Sequence, residues 1–161
     1  MTSPALVAET WESLFRAQVS VVRRLAEDDI WDVVSMREYD VLYTLSRCSD
    51  AGLRMHELNR DILLSQPSLS RMVERLQARG FVTRTPADGD GRGTVVALTP
   101  EGRAVQRRIG RKHVESINRA LGSVLDAAEL AELRRLCDKI RRADPVSQPT
   151  SSYASQTGRT S

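Results

Sequence analysis

The chain has 161 residues, 28% of them charged, with a formal net charge of +3 and a sequence pI of 9.2. That length supports one domain with a real core and falls short of two full domains. The mild basic excess suits an anionic partner, and aromatic residues make up only 4%, with the apolar remainder mostly Leu, Val and Ala, which suits a helical protein. Cys48 and Cys137 are far apart and form no CxxC, which argues against a disulfide framework or a zinc site. They read as two buried thiols in a reducing compartment. There is no signal-peptide pattern and no apolar run near about 18 residues, so the expectation is a cytoplasmic protein without a membrane span.

Residues 1–34 read as an N-terminal dimerisation helix and a connector. The helix runs from Ala5 to Glu27, with Leu14, Gln18, Val21, Val22 and Leu25 along one stripe and Trp11 and Phe15 adding bulk near its start. Asp28 to Val34 is a connector carrying Trp31. Residues 35–99 form the next unit. Ser35-Met36-Arg37-Glu38 is a capping box, and the helix it opens runs to about Arg47, burying Tyr39, Leu42 and Leu45. Ser49-Asp50-Ala51-Gly52 breaks the chain, and Leu53-Arg54 leads on as a short strand.

Two short helices follow, Met55 to Leu64 and Ser65 to Leu76, joined by a tight connection. Ser65 is placed to cap the second with its hydroxyl, and Pro67 sits in the first turn, where its missing N–H costs nothing. Leu69, Met72, Val73 and Leu76 share one face. Gly80 stops the helix. Phe81-Val82-Thr83-Arg84-Thr85 and Thr94-Val95-Val96-Ala97-Leu98 read as strands around a turn-rich tip, Asp88 to Gly93. Residues 100–143 carry two further helices. Thr99 caps the first, which runs towards Leu125 with Val105, Ile109, Ile117, Leu121 and Val124 as its apolar side. Its first turns also carry Arg103, Arg107, Arg108, Arg111 and Lys112, either a solvated face or a contact with DNA or an acidic partner. Asp126 caps the last helix, where Leu130, Leu133, Cys137 and Ile140 form a coiled-coil-like seam. Residues 144–161 are a Pro/Ser/Thr/Gln-rich tail expected to be disordered.

The second helix of the short pair has the layout of a DNA reader. Gln66, Ser68 and Ser70 are small polar groups near its N-terminal end, and Arg71 and Arg75 follow one and two turns on. Small polar residues let a helix approach base edges, and Arg pairs bidentately with guanine or clamps phosphate. From Ser65 to Arg84, four arginines face the single acid Glu74. Helix, helix and hairpin together make a winged helix-turn-helix, with Arg92 at the wing tip. Catalysis finds no constellation here: His56 and His113 are far apart, and the Asp88–Gly93 tip lacks the oxygen ligands of a calcium loop at Arg92 and Thr99. No metal, cofactor or enzyme activity is expected.

These residues resemble the MarR family of bacterial transcriptional regulators. The resemblance runs from about Trp11 to Ile140 and rests on Ser65 to Leu76, Gly80-Phe81-Val82, Asp90-Gly91-Arg92 and Leu98-Thr99-Pro100-Glu101-Gly102. Relatives commonly carry a second basic residue beside the wing arginine, whereas Gly91 and Gly93 flank Arg92 here. The resemblance implies a mainly α fold with a small β-hairpin wing and dimerisation helices at both ends. It implies a homodimer on double-stranded DNA, contacting it through Ser65, Gln66, Pro67, Ser68, Ser70, Arg71, Arg75, Arg84, Asp90 and Arg92. In the urate-responsive branch, a first-helix Trp, a second-helix Asp and a wing-base Arg form part of an effector site. Trp11, Asp40 and Arg84 resemble these, although Met72 stands where another Arg of that set is expected. The implied effector is small, planar and anionic or phenolic. Asp40 can equally be a structural ion-pair or cap partner, with Trp11 in the dimer core. The expected function is a repressor released by a ligand from a palindromic operator; the alternative is a helical sensor or adaptor that does not bind DNA.

Overall fold

The structure, a computed structural model, describes residues 2–62, 64–87 and 93–143. In chain order it contains α1 (Pro4–Ala26), α2 (Met36–Ser46), β1 (Leu53–Arg54), α3 (Met55–Asp61), α4 (Gln66–Ala78), β2 (Val82–Pro86), β3 (Thr94–Leu98), α5 (Pro100–Ile117) and α6 (Ala127–Arg142). A π-helical turn, Asn118–Gly122, extends α5. The sheet is antiparallel in the order β1-β3-β2, with Leu53 opposite Val96 and Val82 opposite Leu98. The hairpin base closes through the Ala87 N–H, which donates to the Gly93 carbonyl at 2.9 Å. The wing tip, 88–92, and the tail expected to be disordered, 144–161, lie outside the described residues.

The core explains the winged lobe. Val41, Leu42 and Leu45 of α2 join Leu58 of α3, the α4 stripe and Val96 of β3 in one buried cluster. All four stripe residues of α4, Leu69, Met72, Val73 and Leu76, are buried, as their spacing predicts. Ser35 and Glu38 form the expected capping box, with the Ser35 N–H donating to the Glu38 carboxylate at 2.9 Å. Thr99 and Asp126 cap α5 and α6 as read. Ser65 is the N-cap of α4, but its hydroxyl donates to the Ser68 hydroxyl at 2.9 Å and caps no backbone N–H. With a second serine one turn on, the side chain-to-side chain bond replaces the backbone cap.

Two sequence motifs nineteen residues apart meet in one joint. Gly80 adopts φ +75° just past the end of α4, a left-handed conformation that suits glycine. The Thr99 hydroxyl donates to the Gly80 carbonyl at 2.7 Å and accepts from the Gly102 N–H at 2.9 Å. Gly102 packs so closely on the Phe81 carbonyl that a Cβ would collide with it. The start of α5 is therefore bolted to the corner between reading helix and wing.

The helices outside the lobe depart from the sequence reading in two ways. The inward face of α5 runs through Gly102, Val105, Ile109 and Ser116 to Ala120 in the π turn, while Val124 is exposed. Ordinary helix ends at Ile117, and the wider turn puts Ala120 inside in place of the expected Val124. The second departure is Cys137, which is exposed on α6 rather than buried; Cys48 is half-buried. Within one chain α1 buries only Leu25, and α6 buries nothing.

Candidate nucleic-acid interface

The reading helix stands on the lobe with its polar side outward. Ser65, Gln66, Pro67, Arg71 and Arg75 are exposed, and Ser68 and Ser70 are half-buried. Pro67 stands in the first turn, where its missing N–H costs nothing, and the Leu69 N–H already donates to the Ser65 carbonyl at 3.0 Å, so the first turn is where α4 has backbone N–H groups left for a phosphate. Arg71 has no hydrogen bond or ion pair among the described residues. The other arginines of the stripe are engaged. Arg75 lies 3.8 Å from Glu38, Arg79 lies 3.6 Å from the same carboxylate, and Arg84 lies 3.4 Å from Glu74. Glu38 is the acid that the local charge count from Ser65 to Arg84 missed, because it comes from α2. Asp90 and Arg92, the wing-tip members of the predicted contact set, lie outside the described residues.

On this lobe Glu74 holds the reading helix to the wing. Its carboxylate accepts from Ser70 at 3.5 Å and from Arg84 at 3.4 Å. These are partly exposed contacts and contribute little stability in water. Their value lies in direction, since they fix the wing base relative to α4.

The three residues expected at an effector site are not joined within one chain. Trp11 is 62% exposed on α1 and, among the described residues, stacks only on Phe15, with ring centroids 6.0 Å apart. Arg84 is held by Glu74. Asp40 is exposed and has no ion pair or hydrogen bond among the described residues. Partial desolvation raises its pKa above the ordinary aspartate value.

Beside Asp40 lies a cluster the sequence reading missed. Trp31 of the connector, Tyr39 of α2 and His113 of α5 form a triangle of rings with centroids 5.7, 5.2 and 5.4 Å apart. The Trp31 indole N–H donates to the Leu25 carbonyl at 2.7 Å, which ties the connector to the end of α1. Gly110 leaves room for the Tyr39 hydroxyl, which sits 3.0 Å from where a Cβ would stand. A glycine in mid-helix was the readable signal of this close approach. Nδ1 of His113 is buried with no hydrogen-bond partner among the described residues.

Burial lowers the pKa of His113, with the charge of Asp28 opposing. The unfolded chain therefore takes up this proton first, near about pH 6.5. The stability tied to neutral His113 is complete above that pH and is lost as pH falls towards its native pKa. Wild type should lose more stability than His113→Phe between about pH 7.5 and about pH 5.5, read as urea midpoints. Equal losses would show that His113 titrates alike in both states.

Among the described residues no group of three or more His, Cys, Asp or Glu could hold a metal ion, and no helix is long and apolar enough to cross a membrane. Comparison with known proteins agrees with the geometry. Residues 34–93 match the profile of the MarR family. The chain is 30% identical over 107 residues to the multiple antibiotic resistance protein MarR of Salmonella typhimurium, covering 66% of this chain and 73% of that protein. It is 29% identical over 110 residues to the regulator PecS of Dickeya dadantii, covering 68% of this chain and 66% of PecS. A MarR family regulator from Streptomyces coelicolor, solved in complex with DNA, superposes with a TM-score of 0.75 at 25% identity over 94% of each chain. With its reading helix, hairpin wing and terminal helices, this chain belongs to the MarR family of winged helix-turn-helix, DNA-binding transcriptional regulators.

Proposed function

We propose that two copies of this chain, acting in the cytoplasm, repress transcription from a palindromic operator and leave it when a small aromatic anion or phenol binds. The role is binding, with no catalytic step. The observation that carries the reading is the outward side of α4, where Gln66 and Arg71 are exposed and Arg71 has no hydrogen bond or ion pair among the described residues. A two-fold dimer presents two such helices, so the operator halves mirror one another. An adaptor that had lost DNA binding would bury Arg71 and Arg75 in protein contacts, and both are exposed.

The ligand seat we infer keeps Trp11 as a stacking face and Asp40 as an acceptor, joined by the Trp31–Tyr39–His113 rings beside Asp40. Buried Nδ1 of His113 offers a partner to a ligand N–H or O–H. Arg84 can serve as the cationic partner only by leaving Glu74, which would free the wing base from the reading helix. That gives a ligand the differential affinity it needs, because one indifferent to lobe geometry would shift nothing.

The test is a gel shift with the DNA upstream of the chain's own gene, titrated with aromatic carboxylates and purine-like anions. Wild type should shift the DNA and release it with at least one of these anions. Asp40→Asn should bind DNA equally well and release it only at higher ligand concentration. Unchanged potency in Asp40→Asn would remove Asp40 from the seat. Failure of every aromatic anion to release wild type would remove the ligand class.

A further inference from the structure

Arg79 stands on the reading helix, yet its side chain turns away from the reading end. It is the C-cap residue of α4, thirteen positions past Gln66. Its guanidinium lies 3.6 Å from the Glu38 carboxylate, donates to the Val33 carbonyl, and sits over the Phe81 ring with 4.9 Å to the centroid. Three segments that carry different duties meet on this one side chain: the connector before α2, the first turn of α2, and the corner between α4 and the wing. Glu38 is only 8% exposed, and the same carboxylate accepts from the Ser35 N–H and hydroxyl at 2.9 and 3.2 Å. It also faces Arg75 at 3.8 Å. A carboxylate this buried is tolerated because it is both paired and hydrogen-bonded.

We propose that Arg79 and Glu38 form a positioning clasp that sets the pitch of α4 on the lobe, and that Arg79 itself contacts no phosphate. The partners impose this. Reaching DNA would strip Arg79 from Glu38, Val33 and Phe81 together and leave buried Glu38 with its Ser35 hydrogen bonds and, as cationic partner, only the more distant Arg75 among the described residues. A planar guanidinium is needed because it pairs, donates and stacks at once; a lysine ammonium is a point charge that cannot do all three. The consequence concerns specificity. Phosphate contacts tolerate small errors of placement, whereas base-edge hydrogen bonds do not, so a loosened helix loses discrimination before it loses electrostatic attachment.

The experiment uses the full chain, the upstream duplex that it shifts, and a scrambled duplex of equal composition. Binding of each is measured by fluorescence anisotropy over a range of salt for wild type, Arg79→Ala, Arg79→Lys and Glu38→Gln. Gln can still cap α2, so that variant removes the charge and keeps the cap. Preference for the operator should fall about tenfold in Arg79→Ala and in Glu38→Gln. It should fall less in Arg79→Lys. The dependence of binding on salt should stay that of wild type in all three. A salt slope reduced by about one in Arg79→Ala would make Arg79 a phosphate contact and overturn the proposal. So would a tighter, more salt-sensitive complex in Glu38→Gln, which would make Glu38 a competitor of phosphate. If Arg79→Ala does not fold, Arg79→Lys and Glu38→Gln carry the test. A DNA-free control is the double-mutant cycle of Glu38→Gln with Arg79→Ala, or with Arg79→Gln if the alanine variant does not fold, on unfolding stability, where strict additivity would show that no clasp exists.

Discussion

A chain ending at Leu125 should sediment as a monomer or as aggregate and should lose high-affinity operator binding, whereas a chain ending at Ala143 should stay a dimer. The expectation follows from surface that one chain leaves bare. On α1, Leu6, Val7, Trp11, Leu14, Phe15, Val19 and Val22 are exposed; on α6, Leu133, Leu136 and Ile140 are exposed. A monomer rarely leaves so many large apolar side chains along its helices in water. Burying a side chain of this size is worth about 1.5–3 kcal/mol. These side chains are already about half covered within their own chain, so burying all of them across a two-fold axis is worth roughly 14–28 kcal/mol, enough to offset the roughly 4–15 kcal/mol lost in association. The capping box of Asp126 and Glu129 makes α6 a well-formed helix although it touches little of its own lobe. Its helical order therefore presents the stripe for a partner. Two anchored lobes also bind one operator as a single event, and a monomer loses that effective concentration. Sedimentation equilibrium and anisotropy on the upstream duplex decide the matter. A stable dimer that still binds after loss of α6 would refute this placement of the interface.

What could be read from the sequence was local. The Ser35 and Asp126 caps, Pro100 at the start of α5 and Gly80 past the end of α4 each depend on neighbours within a few residues, and each is found where expected. The α4 stripe was legible because its apolar residues are large. The inward face of α5 was not, because after Ile109 it runs through His113, Ser116 and Ala120. A rule that counts large apolar residues chose Ile117, Leu121 and Val124 instead. The charge of the reading face misled for a similar reason. Arg79 and Arg84 look like phosphate ligands in a linear count. Their acids, Glu38 and Glu74, come from another helix and from ten residues upstream. Only tertiary structure separates arginines that build the lobe from an arginine left for DNA.

Of the arginines at 71, 75, 79 and 84, Arg71 alone has no ion pair among the described residues, and Arg71→Ala should weaken operator binding by about 1–3 kcal/mol while relaxing the preference at one position of each half-site. The argument is one of availability. Arg75 would have to leave Glu38, and Arg84 would have to leave Glu74, before either could pair with DNA. Arg71 is exposed and breaks no hydrogen bond or ion pair among the described residues on pairing with a guanine edge. Its neighbours support the geometry: Gln66 is exposed one turn and a half earlier, and Leu69, Met72 and Val73 are buried behind it, which fixes the face that looks outward. Arg84→Ala makes the contrast. It frees Glu74 at the interface and should cost less sequence preference than Arg71→Ala while still weakening attachment. Anisotropy on the upstream duplex and on single-base variants of each half-site gives both quantities. If Arg71→Ala binds the operator as tightly as wild type, α4 does not read the groove with this residue, and the contacts of Gln66 and the serines must carry the discrimination alone.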